Sequence, residues 1–335
     1  MVNMDNHFWF GMTVILISGA MNASFALPMK YSRSWKWENQ WLVFSVVGIF
    51  MVPWALAFGL VPRLTQVYAE VTPRALVLPL VFGLLWGFAQ VTFGVSLRMV
   101  GVALTFAVVS GLASLSGSLV PLLAFHPHDL FRPRGLLLLF SIPFLIVGLI
   151  FYGVAGRRRE KEQAGPEVES SPGKGSFTTG MALCIFTGIF GSGYNLGFAF
   201  ANDVIQVSLR HGAGHLTSTY AVWSLVLGAG FVPNLAYCLY LLARNRTGNL
   251  FGKGGWPRES LLAVAMAFLW VTAVLSYGIG ATLVGTAGTS TGYMLFVAAS
   301  ILFANGFGLM AGEWKGASVR TKRFLFTAVA FILSQ

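Results

Sequence analysis

Long uninterrupted apolar segments constrain this chain more than any other feature of its sequence. An α-helix needs about 20 apolar residues to cross the hydrocarbon core of a bilayer. Ten segments of roughly this length lie at residues 7–29, 40–62, 75–97, 99–124, 135–155, 177–201, 217–243, 260–283, 290–312 and 320–335. Charged residues make up only 10% of the chain, whereas soluble domains contain about 25%. The sequence therefore predicts an all-α polytopic membrane protein with ten transmembrane helices.

The basic residues indicate how these helices are oriented. Most of the 22 Lys and Arg residues lie in the connections that follow the odd-numbered segments, and the positive-inside rule places those connections in the cytoplasm. Both termini are then expected outside, and the N-terminus lacks the basic region of a cleaved signal peptide. Contact with membrane lipid explains the net charge of +11 without a nucleic-acid partner.

One polar stretch divides the chain into two halves. Residues 157–176 are charged and rich in Pro, Gly and Ser, which predicts a flexible cytoplasmic linker. It separates a first five-helix repeat (1–156) from a second (177–335). Because five is an odd number, two related halves would cross the membrane in opposite directions.

The halves carry similar motifs in the same order. The matched motifs are Asn22-x-x-Phe25-Ala26 with Asn195-x-x-Phe198-Ala199, Val52-Pro53 with Val232-Pro233, and Leu85-Trp86…Gly94 with Leu269-Trp270…Gly278. Inverted repeats of this kind are typical of secondary transporters, whose substrate site lies near the membrane midplane. We therefore expect Asn22 and Asn195 to offer hydrogen bonds to one polar solute; the alternative is that each only bonds a neighbouring helix.

Four stretches carry a family resemblance. "KYSRSWKWENQW", "VPWALAFGLVP", "GLLWGFAQVTFGVSLRMVGVAL" and "GEWKGAS" together resemble the L-rhamnose–proton symporter family of the drug/metabolite transporter superfamily. The resemblance implies ten helices in two inverted repeats, a bacterial inner-membrane location, and proton-coupled uptake of L-rhamnose or a related 6-deoxy hexose. "FLWVTAVLSYGIG" and "TSTGYMLF" are less polar than their counterparts in that family. Export or exchange of another small polar metabolite therefore stays an alternative.

A sugar site needs flat apolar faces and converging hydrogen-bond groups. Trp86 and Gln90 are one helical turn apart, which places a ring and an amide on the same helix face. The full set of candidates is Asn22, Trp86, Gln90, Tyr194, Asn195, Trp223, Trp270, Tyr277, Tyr293 and Asn305. Core packing, or an interfacial belt such as we expect for the aromatic residues between 31 and 41, is the alternative for the rings.

Proton coupling requires a titratable group at membrane depth, where such groups are rare. Asp203 is expected to end the sixth helix, where burial would favour its protonated form. Lys30 is the second candidate, with a role in binding or gating. The alternatives are a solvated helix end for Asp203 and a snorkelling side chain for Lys30.

The sequence contains no motif that predicts an enzyme, a cofactor or a metal site. Gly288-Thr-Ser-Thr-Gly292 matches G-x-S-x-G, but it lies between two apolar segments rather than between a strand and a helix. Neither H-E-x-x-H nor a phosphate-binding loop occurs, which disfavours a zinc protease and an ATP-driven pump. The alternative outside transport is a membrane sensor or scaffold without flux.

Overall fold

The computed structural model describes residues 2–100, 102–163, 177–312 and 314–334. Within these residues all regular secondary structure is helical and no strand occurs. The α-helices are α1 (Val2–Ser24), α2 (Trp37–Phe44), α3 (Val52–Leu60), α4 (Leu64–Glu70), α5 (Pro73–Val100), α6 (Val102–Phe125), α7 (Pro133–Gln163), α8 (Phe177–Gly191), α9 (Gly193–Ala199), α10 (Asn202–Arg210), α11 (Thr219–Asn245), α12 (Trp256–Val284), α13 (Thr291–Met310) and α14 (Val319–Leu333).

Nine helical segments among the described residues are long and apolar enough to cross a membrane. They coincide with the first nine predicted segments, which confirms an all-helical, multi-pass membrane protein. The tenth predicted segment corresponds to α14, which has 15 residues. At 1.5 Å per residue, α14 is about 22 Å long and shorter than a hydrocarbon core of about 30 Å.

The second membrane segment contains a local widening of the helix. Residues Ser45–Met51 form a π-helix between α2 and α3, and Pro53 lies in the first turn of α3. Proline has no backbone N–H and its ring clashes with the carbonyl four residues earlier. A π-turn relieves that clash without breaking the segment, because it widens the helix where the proline ring needs room.

The sixth segment is broken into three helices, which corrects the prediction for Asp203. The chain bends at Ser192 and again at Ala201, between α8, α9 and α10. Asp203 therefore lies in the first turn of α10 instead of ending the sixth helix, and its side chain is exposed.

Helices from the two ends of the chain are interleaved. Helix α1 packs most extensively against α12 and α13, whereas α8 and α9 pack against α5 and α6. Helix α7 packs along α14, and α11 lies against α5. Contact between α5 and α11 is close because Gly83 has no side chain; a Cβ there would meet the carbonyl oxygen of Val226 at 2.1 Å.

The predicted linker begins as a continuation of a helix. Residues 157–163 extend α7 beyond its apolar part, and the remainder of the linker, 164–176, lies outside the described residues. Lys30 lies in a short 3-10 helix, Leu27–Tyr31, and its side chain is exposed. Cys184 and Cys238 are both buried free thiols.

Candidate functional site

Seven of the ten predicted binding residues come together in the centre of the helix bundle. They lie on α5, α9, α11, α12 and α13, and each is at most 8% exposed. We call this group the aromatic cluster; its members are Trp86, Tyr194, Asn195, Trp223, Trp270, Tyr277 and Tyr293. Segments that are distant in sequence thus converge on one buried site.

Two tryptophans at matching positions of the halves form the middle of the aromatic cluster. The rings of Trp86 and Trp270 are stacked, with centroids 5.6 Å apart and planes at 9°. Tyr194 meets Trp86 edge-on at 5.8 Å. Flat indole faces of this kind are the surfaces on which the apolar side of a small solute can stack.

Asn195 is the polar centre of the aromatic cluster. Its amide nitrogen donates to the carbonyl oxygens of Gly117 and Thr289, both at 2.9 Å. Its carbonyl oxygen accepts a hydrogen bond of 2.5 Å from the Tyr277 hydroxyl. Both amide hydrogens are therefore used within the protein, and Asn195 joins α9 to α6 and to the turn before α13.

Trp223 supplies a buried donor without a partner. Its ring is stacked on Phe198, with centroids 4.7 Å apart and planes at 8°. Its Nε1 is fully buried and makes no hydrogen bond to any residue that the structure describes. The nitrogen is packed closely against Gly278, since a Cβ on that glycine would lie 2.5 Å from it. A buried donor without a partner is rare, and a bound ligand or water is one explanation for it.

The other three predicted residues make separate contacts. The Asn22 amide donates to the Ser300 hydroxyl at 3.1 Å, and the Asn305 amide donates to the Ile301 carbonyl of its own helix at 2.8 Å. Gln90 is half-buried, and its side chain makes no hydrogen bond within the described part of the chain. The proposed pairing of Asn22 with Asn195 at one solute stays a prediction.

The aromatic cluster contains no Asp, Glu, Lys, Arg or His side chain. Neither Asp203 nor Lys30 belongs to it, since both side chains are exposed. Among the described residues, no three His, Cys, Asp or Glu side chains are close enough to hold a metal ion. Binding in the aromatic cluster would therefore rest on rings, hydroxyls and amides.

Two serines beside the aromatic cluster were not predicted. The hydroxyls of Ser116 and Ser192 lie 2.8 Å apart, and Ser116 also donates to the Ile189 carbonyl. Gly117 allows the close approach of Tyr293, whose ring a Cβ would meet at 2.1 Å. The only signal in the sequence was the run of small residues around each serine, which is common in membrane helices.

One end of the bundle is closed by Glu259, in the first turn of α12. Its Oε1 accepts from the backbone N–H groups of Arg33 and Ser34 at 2.9 and 3.1 Å. Its Oε2 accepts from the Ser32 hydroxyl at 2.6 Å and from the Gln40 amide at 3.4 Å. This buried carboxylate of the second half therefore holds the α1–α2 connection of the first half.

Glu38 makes the reciprocal contact from the first turn of α2. Its Oε1 accepts from the Asn245 amide at 2.9 Å and from the Thr247 hydroxyl at 2.8 Å. Beside it, the Asn39 amide donates to the Thr247 carbonyl at 2.9 Å. We call the end of the bundle that contains Glu38 and Glu259 the latched face, because each half there binds a connection of the other.

The expected interfacial belt is partly built into the latched face. Trp35 is only 7% exposed, and its Nε1 donates to the Leu250 carbonyl at 3.2 Å. The Nε1 of Trp41 donates to the Asn234 side-chain oxygen at 3.0 Å. The belt interpretation is wrong for Trp35, whereas Tyr31, which is 65% exposed, is free to meet the lipid interface.

A different contact joins the halves near the other end of the membrane segment Trp37–Leu60, whose first turn carries Glu38. Glu70 Oε1 and His211 Nε2 lie 2.9 Å apart, and the Glu70 side chain is 52% exposed. Nearby, the Tyr68 hydroxyl donates to the Ala221 carbonyl at 2.8 Å. We call this end of the bundle the opposite face.

Known proteins match this chain over almost its whole length. The family model described as L-rhamnose-proton symport protein (RhaT) matches residues 4–334. The L-rhamnose-proton symporter of Yersinia pestis (strain Pestoides F) is 23% identical over an alignment of 321 positions, gaps included, which covers 93% of this chain and 91% of that protein. The L-rhamnose-proton symporter of Pectobacterium atrosepticum is 23% identical over an alignment of 337 positions, gaps included, which covers 98% of this chain and 96% of that protein. The chain therefore belongs to the L-rhamnose-proton symport protein family.

Proposed function

We propose that this protein is a secondary active transporter that takes up L-rhamnose, or a related 6-deoxy hexose, together with a proton. Two observations support the proposal: membership of the symport family over residues 4–334, and a central buried site built from rings, hydroxyls and amides. Transport, rather than enzymatic catalysis, is the activity of the family.

The aromatic cluster suits the chemistry of a deoxy sugar. A pyranose ring has an apolar face of C–H groups that stacks on indole, and the methyl group of a 6-deoxy sugar prefers an apolar wall. Hydroxyl groups of the sugar need converging donors and acceptors. Trp86 and Trp270 would supply the stacking faces. The Tyr hydroxyls, the second lone pair of the Asn195 side-chain oxygen and the unpartnered Nε1 of Trp223 would bind the hydroxyls.

We propose that the two halves are inverted repeats that move by alternating access. The reciprocal packing supports this, because α1 packs on α12 and α13 in the same way that α8 and α9 pack on α5 and α6. The stacked Trp86 and Trp270, at matching positions, would then lie near the pseudo-twofold axis. In this arrangement the latched face is cytoplasmic and both termini are outside.

The conformation described here is one in which the aromatic cluster is closed. Trp86, Trp223, Tyr277 and Tyr293 are each at most 2% exposed, so a sugar reaches them only after helices separate. The contacts of Glu38 and Glu259 close the latched face. Opening that face would release the sugar to the cytoplasm.

The proton must bind outside the aromatic cluster if it binds to a carboxylate or an imidazole. Asp203 remains the proposed proton-coupling residue, with Lys30 proposed to act in gating. Their exposure is compatible with either role, because in an alternating-access cycle each membrane face is open to water in turn.

The test is ligand-induced thermal stabilisation of the purified full chain against a panel of 6-deoxy and ordinary hexoses, at pH 6 and pH 8. We expect stabilisation by L-rhamnose or a close relative, stronger at one of the two pH values. Asn195→Ala and Gln90→Ala should weaken it, whereas Gln206→Ala, which changes an exposed amide on α10, should not. No stabilisation by any sugar would indicate another small polar metabolite.

Direction and coupling require a second measurement in proteoliposomes. An inward proton gradient should drive accumulation of the stabilising sugar, and dissipating the gradient should abolish accumulation. Efflux driven by the same gradient would indicate an exporter or exchanger. Binding without any flux would indicate a sensor.

A further inference from the structure

We propose that a groove between α6 and α7 binds one anionic phospholipid, with its phosphate at Arg157 and an acyl chain along the groove. The groove has a volume of about 410 Å³ and is lined by apolar side chains together with Gly111 and Gly153. Arg157 is the one charged residue in its lining. This site is separate from the aromatic cluster, with which it shares no residue.

The length of the groove matches one leaflet of a bilayer. Its lining on α7 runs from Ile146 to Arg157, which corresponds to about 16 Å of helix at 1.5 Å per residue. One leaflet contributes about 15 Å, half of a hydrocarbon core of roughly 30 Å. The apolar lining ends at Arg157, the position at which a lipid headgroup would begin.

Arg157 differs from the two arginines that follow it. The guanidinium of Arg158 lies over the ring of Phe324 at 4.5 Å, and that of Arg159 lies over Trp314 at 4.9 Å. Arg157 is exposed, and within the described residues it makes no hydrogen bond, ion pair or ring contact. Its charge is thus available to a ligand, while the charges of its neighbours are engaged by the protein.

Charge and shape together favour an anionic lipid over other occupants. Basic pockets between transmembrane helices bind anionic headgroups, and an exposed arginine can hold a phosphate with two parallel hydrogen bonds. A free phosphate would leave the apolar groove empty. A zwitterionic lipid gains less from Arg157 than an anionic lipid, because its own cationic group offsets the charge of its phosphate. The half-buried Val108 of α6 narrows the groove from the other side.

The test is lipid retention by the purified full chain, measured by native mass spectrometry after exchange against equal amounts of phosphatidylglycerol and phosphatidylcholine. We expect selective retention of phosphatidylglycerol, reduced about fivefold in Arg157→Gln by loss of one basic residue and preserved in Arg157→Lys. Val108→Phe should reduce retention by filling the groove while leaving the charge in place. Arg320→Gln, which removes an exposed charge at the start of α14, is the matched control.

Three results would overturn the proposal. Equal retention of the two lipids by the unmodified chain would mean that no anionic site exists. Equal losses in Arg157→Gln and Arg320→Gln would mean that retention reflects overall charge. Thermal stabilisation by inorganic phosphate alone, abolished by Arg157→Gln but not by Val108→Phe, would indicate a free-anion site. If Arg157→Gln does not fold, Val108→Phe and Arg157→Lys decide the question.

Discussion

The latched face and the opposite face join the same two halves with different chemistry. At the latched face, Glu38 and Glu259 are 5% and 2% exposed and accept hydrogen bonds from neutral donors. At the opposite face, Glu70 is half in solvent and meets one histidine. Removing the partner of a buried carboxylate costs the protein much stability, whereas an exposed pair contributes little to stability. The latched face should therefore be the harder one to open.

The strongest test of this comparison is Glu259→Ala. The substitution leaves the Ser32 hydroxyl and two backbone N–H groups without their acceptor, and we expect a loss of about 2 kcal/mol in stability. The measurement is the thermal unfolding midpoint in detergent. Asp203→Ala is the control, since Asp203 also lies in the first turn of a helix but is exposed. Equal effects of the two substitutions would contradict the importance of burial.

Glu38→Ala should have the next largest effect, about 1.5 kcal/mol, because Glu38 accepts only two side-chain hydrogen bonds. It also offers a local measurement. Cys238 is fully buried on α11, the helix whose last residue, Asn245, donates a hydrogen bond to Glu38. Its reaction with a maleimide should speed up in Glu38→Ala, whereas the buried Cys184, beside Thr105, should stay protected. Labelling of both thiols at the same rate would indicate general loosening rather than opening of the latched face.

His211→Gln should cost far less, about 0.5 kcal/mol, because its partner Glu70 is exposed and screened by solvent. A loss that shrinks as salt is added would identify an ion pair, and a loss that does not change with salt would identify a hydrogen bond of the neutral ring. The measurement is the unfolding midpoint at low and high ionic strength. A loss as large as that of Glu259→Ala would show that the two faces do not differ.

The smallest effect on stability is expected for Glu162→Gln. Glu162 is an exposed carboxylate on the side of the latched face, so it tests whether burial or location decides the effect. Hydrogen bonds from the Ser318 backbone and hydroxyl, and from Thr321, lower the pKa of Glu162 below 4.5. A carboxyl group whose pKa is lower in the folded state stabilises the protein at pH values above its unfolded-state pKa. This stabilisation is lost as the pH falls through the folded-state pKa. The difference in unfolding midpoint between Glu162→Gln and the unmodified chain should therefore be present at neutral pH and disappear in acid. A difference that does not change with pH would contradict this role.

The sequence predicted the membrane class and every member of the aromatic cluster for simple reasons. Apolar segments of fixed length leave few alternatives, because every backbone group in a bilayer must be bonded internally. Matching motifs led to Trp86 and Trp270, and the need of a sugar site for flat rings led to Tyr277 and Tyr293. Only the fold shows that these residues converge, since α5 and α12 are far apart in the chain.

The breaks in the sixth segment and the contacts of the latched face could not be predicted from the local sequence pattern. The sixth segment has no proline at its bends, so nothing marked Asp203 as the start of a new helix. Glu38 and Glu259 each precede an apolar segment, where a solvated carboxylate is ordinary. Only the fold shows that each meets a connection of the other half.

The stack of Trp86 on Trp270 gives the protein a built-in optical reporter. Two indoles held 5.6 Å apart in nearly parallel planes couple their electronic transitions, and the coupling falls steeply as the rings separate or turn. Near-ultraviolet circular dichroism of the unlabelled chain should then register any separation of α5 and α12 at the centre of the bundle. A transport cycle could be followed in real time without attaching a probe.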